Sequence, residues 1–288
     1  MCYRSEQEMM GMLMEFAEGD GRVRAAWLNG SRANPNAPKD RWQDFDIVFA
    51  VDDYESFLAD PHWVDRFGER AVMQTRAEQE PAGADFSDWF IYLMQFTDGN
   101  RIDLTLVPLD KAEEAFLEDR MRVLLLDKDK RLPAVPPATD EDYWAKKPGA
   151  KEFADCCNEF LWVVPYVAKG LWRGEFTYAQ GVYHGAVRDA FDQMAGWRIG
   201  FDHNFSVNPG KKGKWYQRFL PAEEWDELYR TYDCGSEKAL FDSLLRMMAL
   251  FQKWGHMLSK ALGYPYPDGD QSKVMTYIQM FQLRQPAQ

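Results

Sequence analysis

A proline-rich segment near the middle of the chain separates two different patterns of apolar residues. Residues 132–137 read Leu-Pro-Ala-Val-Pro-Pro, a stiff stretch that disfavours both a continuous helix and a central strand. Short apolar runs suited to strands precede this segment, and long helix-compatible stretches follow it. The chain is therefore predicted to form two domains, one over residues 1–135 and a helical one over residues 136–288.

The N-terminal half contains helix and strand signals in turn. Ser5 and Glu8 are spaced as a capping box, which predicts an opening helix that ends near Gly19. Asp98-Gly99 is a favoured hairpin turn between the last two of four strand-like runs. The four runs occupy residues 23–28, 44–51, 89–96 and 102–107. Residues 110–126 show a helical pattern.

The C-terminal half is expected to be helical, with a loosely ordered extreme end. Its helices are predicted over residues 140–172, 176–199, 223–232 and 237–262.

The chain is acidic, with 34 basic and 46 acidic residues and a formal net charge of −12. This charge repels a phosphate backbone, so no nucleic-acid partner is expected, and it favours a cationic small molecule, although acidity also serves solubility. The four cysteines match neither a zinc pattern nor a disulfide framework, and no apolar run could span a bilayer. We expect a soluble cytoplasmic protein without a membrane partner; the oligomeric state stays open.

The most informative spacing joins a glycine-serine turn to a pair of aspartates. Gly30-Ser31 ends one strand-like run, and Asp44-Phe45-Asp46 opens the next after twelve intervening residues. Because side chains alternate along a strand, Asp44 and Asp46 would point to one side and Phe45 to the core. A Mg²⁺–nucleotide complex requires carboxylates that bind the metal ion and a turn whose backbone a phosphate can approach. Two aspartates beside a glycine turn provide both.

Two further residues extend this predicted site. Arg32 adds a positive charge beside Gly30 and Ser31, suited to a triphosphate. Asp103, on a neighbouring predicted strand, could be a third metal ligand or the general base for an acceptor hydroxyl, and on its own could also simply pair with Arg101.

These residues resemble the signature of the aminoglycoside nucleotidyltransferases of the DNA polymerase β superfamily, and more specifically the aminoglycoside 6-adenylyltransferase family. The resemblance includes the helical half, which the wider superfamily does not share. The matching stretches are residues 4–10, 30–32, 43–47, 98–108, 155–160, 166–171 and 264–268.

The resemblance implies an α+β fold, in which an N-terminal nucleotidyltransferase domain with a mixed sheet precedes a C-terminal helical bundle that binds the acceptor. It implies transfer of AMP from Mg²⁺-ATP to a hydroxyl of streptomycin, with release of pyrophosphate, a reaction that confers antibiotic resistance. Asp44, Asp46 and Asp103 would be the catalytic carboxylates and metal ligands. The triphosphate cradle would consist of Gly30, Ser31 and Arg32.

The resemblance also suggests residues in the helical half. Lys169 would suit a phosphate contact, or could be a solvated lysine near a helix end. Glu159 is a candidate acceptor-side carboxylate. Where the family carries an Asp-His pair, this chain has Gly181-Val182 before Tyr183 and His184, so His184 could replace a carboxylate toward the acceptor.

Two alternatives stay open at this point. The first is a related nucleotidyltransferase that acts on another small molecule or on a protein side chain. The second is a non-catalytic nucleotide-binding regulatory protein, against which the retained Asp44, Asp46 and Asp103 count.

Overall fold

The computed structural model describes residues 3–281. The chain divides into two compact units, Met1–Asp142 and Tyr143–Gln288, so the division falls at residue 142, after the proline-rich segment, where residue 135 was expected. The predicted loose C-terminal end and Cys2 lie outside the described residues. The other three cysteines, Cys156, Cys157 and Cys234, are buried and free.

Six strands of the first unit form one mixed sheet in the order β3-β4-β5-β2-β1-β6. The strands are Val23–Leu28 (β1), Phe45–Val51 (β2), Arg70–Thr75 (β3), Phe90–Phe96 (β4), Arg101–Pro108 (β5) and Val123–Asp127 (β6). Neighbours β2 and β5 are parallel, and the other four neighbouring pairs are antiparallel. The α+β class with a mixed sheet is confirmed.

The helices of the first unit are short apart from the opening one. They are Glu6–Gly19 (α1), Gly30–Ala33 (α2), Tyr54–Ala59 (α3), Arg76–Gln79 (α4) and Ala112–Glu118 (α5), with 3₁₀ turns at Trp63–Phe67, Leu109–Lys111 and Glu141–Tyr143. The predicted capping box is confirmed, because the Ser5 hydroxyl accepts from the Glu8 amide and the Glu8 carboxylate accepts from the Ser5 amide.

The two faces of the sheet carry separate apolar clusters. One face packs against α1, and its cluster includes Phe45, Ile47 and Leu104. The other face carries a smaller cluster with Trp27, Val48 and Phe116, the last of which belongs to α5. Because side chains alternate along β2, Asp46 shares the face of Val48, which α5 covers only in part.

The described residues of the second unit contain helices and no strand. The helices are Ala150–Trp172 (α6), Phe176–Val182 (α7), Arg188–Asp202 (α8), Tyr216–Phe219 (α9), Ala222–Arg230 (α10), Glu237–Leu262 (α11) and Asp268–Gln279 (α12). A π-helical turn, Tyr183–Val187, joins α7 to α8, and a 3₁₀ turn spans Lys211–Gly213. Helix α6 packs against α7, α8, α11 and α12, with Phe160 stacked on Phe251 at 3.8 Å between ring centroids.

Two of the predicted elements differ most in extent from the observed ones. The single helix predicted over residues 110–126 is instead α5 followed by β6, which pairs with β1 at the sheet edge. The helix predicted from residue 140 begins only at Ala150, because Pro148 disfavours helical geometry in the residue before it and Gly149 is the N-cap. The helix predicted over residues 237–262 is confirmed as α11.

Candidate active site

Asp46 and Asp103 lie side by side on the parallel pair β2 and β5. The register pairs Asp46 with Asp103, and neighbouring strands lie about 4.8 Å apart. Both carboxylates leave the sheet on the face of Val48, while Phe45 is fully buried on the opposite face, as its position in the sequence predicts.

The Arg101 guanidinium contacts the carboxylates of two of the predicted aspartates, Asp103 and Asp44. Its Nε and Nη2 atoms each donate to one oxygen of Asp103 at 2.7 Å. Its Nη1 atom lies 3.6 Å from a carboxylate oxygen of Asp44, the residue immediately before β2. The fold therefore brings the three predicted aspartates together around one guanidinium group.

The surroundings of the Asp46 carboxyl favour its neutral form. Burial raises the pKa of Asp46 from 3.8 to about 6, and the negative charges of Asp103 and Asp44 add to the rise, against a smaller opposing effect of Arg101 and Arg32. One guanidinium beside three carboxylates leaves an excess of negative charge, which a bound cation would relieve.

The Gly30 turn closes onto Asp46. The amide of Asn29 donates to the Asp46 carbonyl at 2.8 Å, and Gly30 follows in the left-handed region with φ of 68°. A Cβ atom on Gly30 would lie 2.1 Å from Asp46 Oδ2, so only glycine leaves room for the carboxylate here. Gln43 Nε2 donates to the Ser31 carbonyl at 3.1 Å, which joins the turn to the start of β2.

Arg32 points inward from this turn. Its side chain is 3% exposed, and its guanidinium donates to the carbonyls of Asp44 at 3.1 Å and Gln43 at 2.7 Å. It also pairs with Glu6 at 3.1 Å and stacks 3.7 Å from the Phe45 ring centroid. Arg32 thus holds the segment before Asp46 in place, and the triphosphate contact that the sequence suggested for it stays a prediction.

A cavity of about 920 Å³ opens on the same sheet face as the carboxylates. Val48 and Thr105 line it and are themselves register partners; they lie two residues beyond Asp46 and Asp103, a rise of about 7 Å. Trp27 also lines the cavity, and its buried Nε1 atom has no hydrogen-bond partner within residues 3–281. The cavity therefore borders the carboxylates.

The carboxylate oxygens of the three aspartates are suitable ligands for a divalent cation, but their arrangement is not that of a complete metal site. Oxygen ligands from one or two carboxylates, completed by water and phosphate, are what Mg²⁺ uses in nucleotide sites. Within residues 3–281, no group of three or more His, Cys, Asp or Glu side chains is placed so that it could hold a metal ion. Both oxygens of Asp103 accept from Arg101.

Lys169 lies near the end of α6, half-buried in the second unit. Its ammonium group stands 5.8 Å from the ring centroid of Tyr166 and 5.5 Å from that of Tyr277. Two aromatic faces stabilise a cation at this place. The phosphate contact suggested for Lys169 stays a prediction.

Glu159 and His184 are both exposed in the second unit. Glu159 lines a cavity of about 850 Å³ whose walls carry three more carboxylates, those of Glu152, Asp155 and Asp189. His184 lies on the π-helical turn, where partial burial and then Arg188 lower its pKa. Their roles toward an acceptor stay predictions.

The sequence interpretation gave Arg101 too small a part. The spacing Arg101-x-Asp103 on one strand places both side chains on the same face, and the pairing that the sequence allowed between them is present. The additional contact to Asp44 was not foreseeable, because it depends on the register between β2 and β5. The lining of the sheet-face cavity by α5 also has no local signal.

Within residues 3–281, no helix has the length and apolar character that crossing a membrane requires.

Comparison with known proteins agrees with the signature residues over nearly the whole chain. The model of the streptomycin adenylyltransferase family matches residues 3–281. An aminoglycoside 6-adenylyltransferase of Bacillus subtilis is 41% identical over 93% of this chain and 95% of its own length. One of Campylobacter jejuni is 41% identical over 96% of this chain and 95% of its own length.

A solved structure is also similar. The crystal structure of an aminoglycoside 6-adenyltransferase from Bacillus subtilis shares 36% identity and covers 98% of this chain and 100% of its own, with a TM-score of 0.48. The match to the family model and the 41% identity to the two aminoglycoside 6-adenylyltransferases confirm the resemblance seen in the sequence. This chain therefore belongs to the streptomycin adenylyltransferase family and is an adenylyltransferase.

Proposed function

We propose that the enzyme transfers AMP from ATP to a hydroxyl group of an aminoglycoside, with streptomycin as the foremost acceptor, and thereby inactivates the antibiotic. The observation that carries the proposal is the convergence of Asp44, Asp46 and Asp103 beside the Gly30 turn. The names of the relatives support the acceptor class. The alternative of a non-catalytic binding protein loses its support, since the family is enzymatic.

In the proposed reaction the acceptor oxygen bonds to the α-phosphorus of ATP, the bond from that phosphorus to the bridging oxygen breaks, and pyrophosphate leaves. Mg²⁺ held by Asp44, Asp46 and Asp103 would neutralise charge on the triphosphate. Gly30 leaves room for the Asp46 carboxylate beside the turn, and the backbone of the turn and the Ser31 hydroxyl would donate to a phosphate. Asp103 orients the acceptor hydroxyl and takes its proton.

The sheet-face cavity supports a cationic acceptor. Among the described residues, Glu114 and Glu118 line it together with one cation, Lys111, and a further carboxylate, Asp88, which is paired with Arg76 at 2.7 Å. Such walls attract ammonium or guanidinium groups and repel phosphates. We propose that the ring bearing the reactive hydroxyl enters this cavity, next to Asp103.

The helical unit supplies the remaining predicted contacts. We assign Lys169 to a phosphate of ATP, and Glu159 with His184 to the cationic acceptor. The acidic walls around Glu159 support the second assignment. The departure from the family pattern at Gly181-Val182 makes streptomycin the part of the proposal that most needs testing.

The test is mass spectrometry of streptomycin after incubation with the enzyme, Mg²⁺ and ATP, beside a panel of other aminoglycosides. We expect the mass of one AMP to be added to streptomycin, and no such addition with the Asp46→Asn variant. Pyrophosphate release with another acceptor, and none with streptomycin, would support the alternative of a related transferase. No pyrophosphate release with any acceptor would contradict the proposed reaction.

A further inference from the structure

The Arg101 guanidinium occupies the position between the carboxylates of Asp103 and Asp44 that a metal ion would take. Three of its nitrogen atoms are used: Nε and Nη2 donate to the two oxygens of Asp103 at 2.7 Å, and Nη1 lies 3.6 Å from Asp44. The side chain is 39% exposed, whereas that of Asp103 is 15% exposed. The guanidinium therefore reaches the carboxylates from the solvent side and has room to withdraw.

The charge balance explains why a cation belongs here. With all three aspartates ionised, the group carries three negative charges and one positive charge from Arg101, a net of −2. Asp46 and Asp103 are register partners on neighbouring strands, so the sheet keeps the two residues adjacent. A counter-charge must come either from within the chain or from a bound ion.

We propose that Arg101 is an internal counter-cation, which holds Asp103 and Asp44 in the ligand-free enzyme and releases Asp103 when a divalent metal ion enters. The inference rests on the proposed function, which assigns the metal to these carboxylates. Arg101 is then a positioning residue that keeps the empty site folded and makes metal binding weak until nucleotide brings its phosphates as further ligands.

The geometry of the guanidinium group is what the proposed role of Arg101 requires. A fork of two parallel N–H donors occupies both oxygens of one carboxylate, while the third nitrogen faces a second carboxylate. A metal ion that takes an Asp103 oxygen as a ligand competes directly with the fork. A lysine ammonium is a single point of charge and would leave one Asp103 oxygen accessible.

The experiment measures Mn²⁺ binding by electron paramagnetic resonance in the absence of nucleotide. The variants are Arg101→Gln, which removes the competing charge, and Arg101→Lys, which keeps the charge and loses the fork. We expect Arg101→Gln to bind Mn²⁺ at least about tenfold more tightly than the natural enzyme, with Arg101→Lys between the two. Arg101→Gln should also melt at a lower temperature without metal and gain more from added Mn²⁺.

Two controls separate the possible failures. Arg41→Gln removes the same charge from an exposed position whose guanidinium stacks on Trp42, and it should leave Mn²⁺ affinity within about twofold of the natural enzyme. Asp46→Asn tests the metal site itself, and it should weaken Mn²⁺ binding.

If Arg101→Gln and Arg101→Lys bind Mn²⁺ as the natural enzyme does, or more weakly, while Asp46→Asn binds it less, the role of Arg101 is overturned and the metal site stands. If Mn²⁺ binding is unaffected by Asp46→Asn, the metal assignment of the proposed function fails instead. Should Arg101→Gln not fold, the Arg101→Lys result decides between the same outcomes.

Discussion

At the scale of single residues, the candidate site is made by side chains whose neighbours leave them little freedom. Gly30 and Asp46 are one such pair, because the carboxylate occupies the space that a Cβ on Gly30 would need. Arg32 is another, because its guanidinium has backbone carbonyls, a carboxylate and a ring as neighbours. Substitutions at these two positions therefore test geometry directly.

The Gly30→Ala substitution should cost both stability and turnover. The left-handed backbone costs an alanine about 1–2 kcal/mol, and the clash with Asp46 displaces a carboxylate, which we expect to lower turnover at least about 100-fold. Gly83→Ala is the matched control, since Gly83 also has a positive φ and, among residues 3–281, none apart from its two chain neighbours has an atom within 4 Å of the place its Cβ would take. It should lose about 1 kcal/mol in urea unfolding and keep its turnover; equal turnover losses in both variants would contradict the steric argument.

The Arg32→Lys substitution distinguishes a positioning residue from a phosphate ligand. Lysine cannot reproduce the fork to Gln43 and Asp44, so we expect the unfolding free energy to fall by about 2–4 kcal/mol. The kcat value should fall more than the KM for ATP rises. Arg41→Lys, at an exposed position, serves as the control. A raised KM for ATP at unchanged stability would instead make Arg32 a triphosphate ligand.

At the scale of elements, two helices place charged side chains at positions that the sequence pattern alone does not predict. Helix α5 presents Glu114 and Glu118 to the cavity beside the carboxylates, four residues apart and hence on one side of the helix. Helix α8 buries a carboxylate, Asp192, whose Oδ1 atom has no hydrogen-bond partner within residues 3–281. The first arrangement bears on acceptor binding and the second on stability.

Replacing both Glu114 and Glu118 by Gln should weaken acceptor binding. Each charge contributes up to about 1 kcal/mol to attraction of a cation at a solvated wall, so the KM for the acceptor should rise about five- to tenfold. The kcat value and the KM for ATP should stay nearly unchanged. Glu113→Gln removes a charge from α5 outside the cavity lining and should have no such effect. An unchanged acceptor KM in the double variant would exclude the cavity as the acceptor site.

The Asp192→Asn substitution should stabilise the protein above pH 6. Burial raises the pKa of Asp192 from 3.8 to about 6, and Asp189 adds to the rise. A raised carboxyl pKa means that ionisation opposes folding, so stability present at low pH is lost as pH rises through about 6. At pH 7 the variant should be more stable by up to roughly 3 kcal/mol.

The same comparison at pH 4 should show little difference between Asp192→Asn and the natural enzyme in urea unfolding. Asp226→Asn, at an exposed position on α10, controls for the loss of one charge. A stability gain that is equal at pH 4 and pH 7 would contradict the assigned cause.

At the scale of the whole molecule, the net charge of −12 acts on the two substrates in opposite directions. A cationic acceptor is attracted over a distance set by ionic strength, and free ATP is repelled. Raising NaCl from about 20 to about 200 mM should therefore lower kcat/KM for the acceptor several-fold and lower the KM for ATP. Steady-state kinetics with each substrate varied in turn measure both effects. A parallel change for the two substrates would show that general salt inhibition, not charge, is responsible.

The elements that the sequence predicted well have local causes. The capping box at Ser5 and Glu8, the apolar period of residues 237–262 and the alternation around Phe45 each depend on residues close together in the chain. The segment 110–126 was harder to assign, because the Leu-rich run that becomes β6 suits a helix equally well and is a strand only through pairing with β1.

The sequence by itself therefore decided that Asp44 and Asp46 stand near a glycine turn and that Phe45 enters the core, since strand alternation and glycine geometry act over a few residues. Only the tertiary structure decided that Arg101 bridges Asp103 and Asp44 and that Arg32 turns inward. These contacts join segments far apart in sequence, and their partners are selected by strand register and packing, which no local pattern encodes.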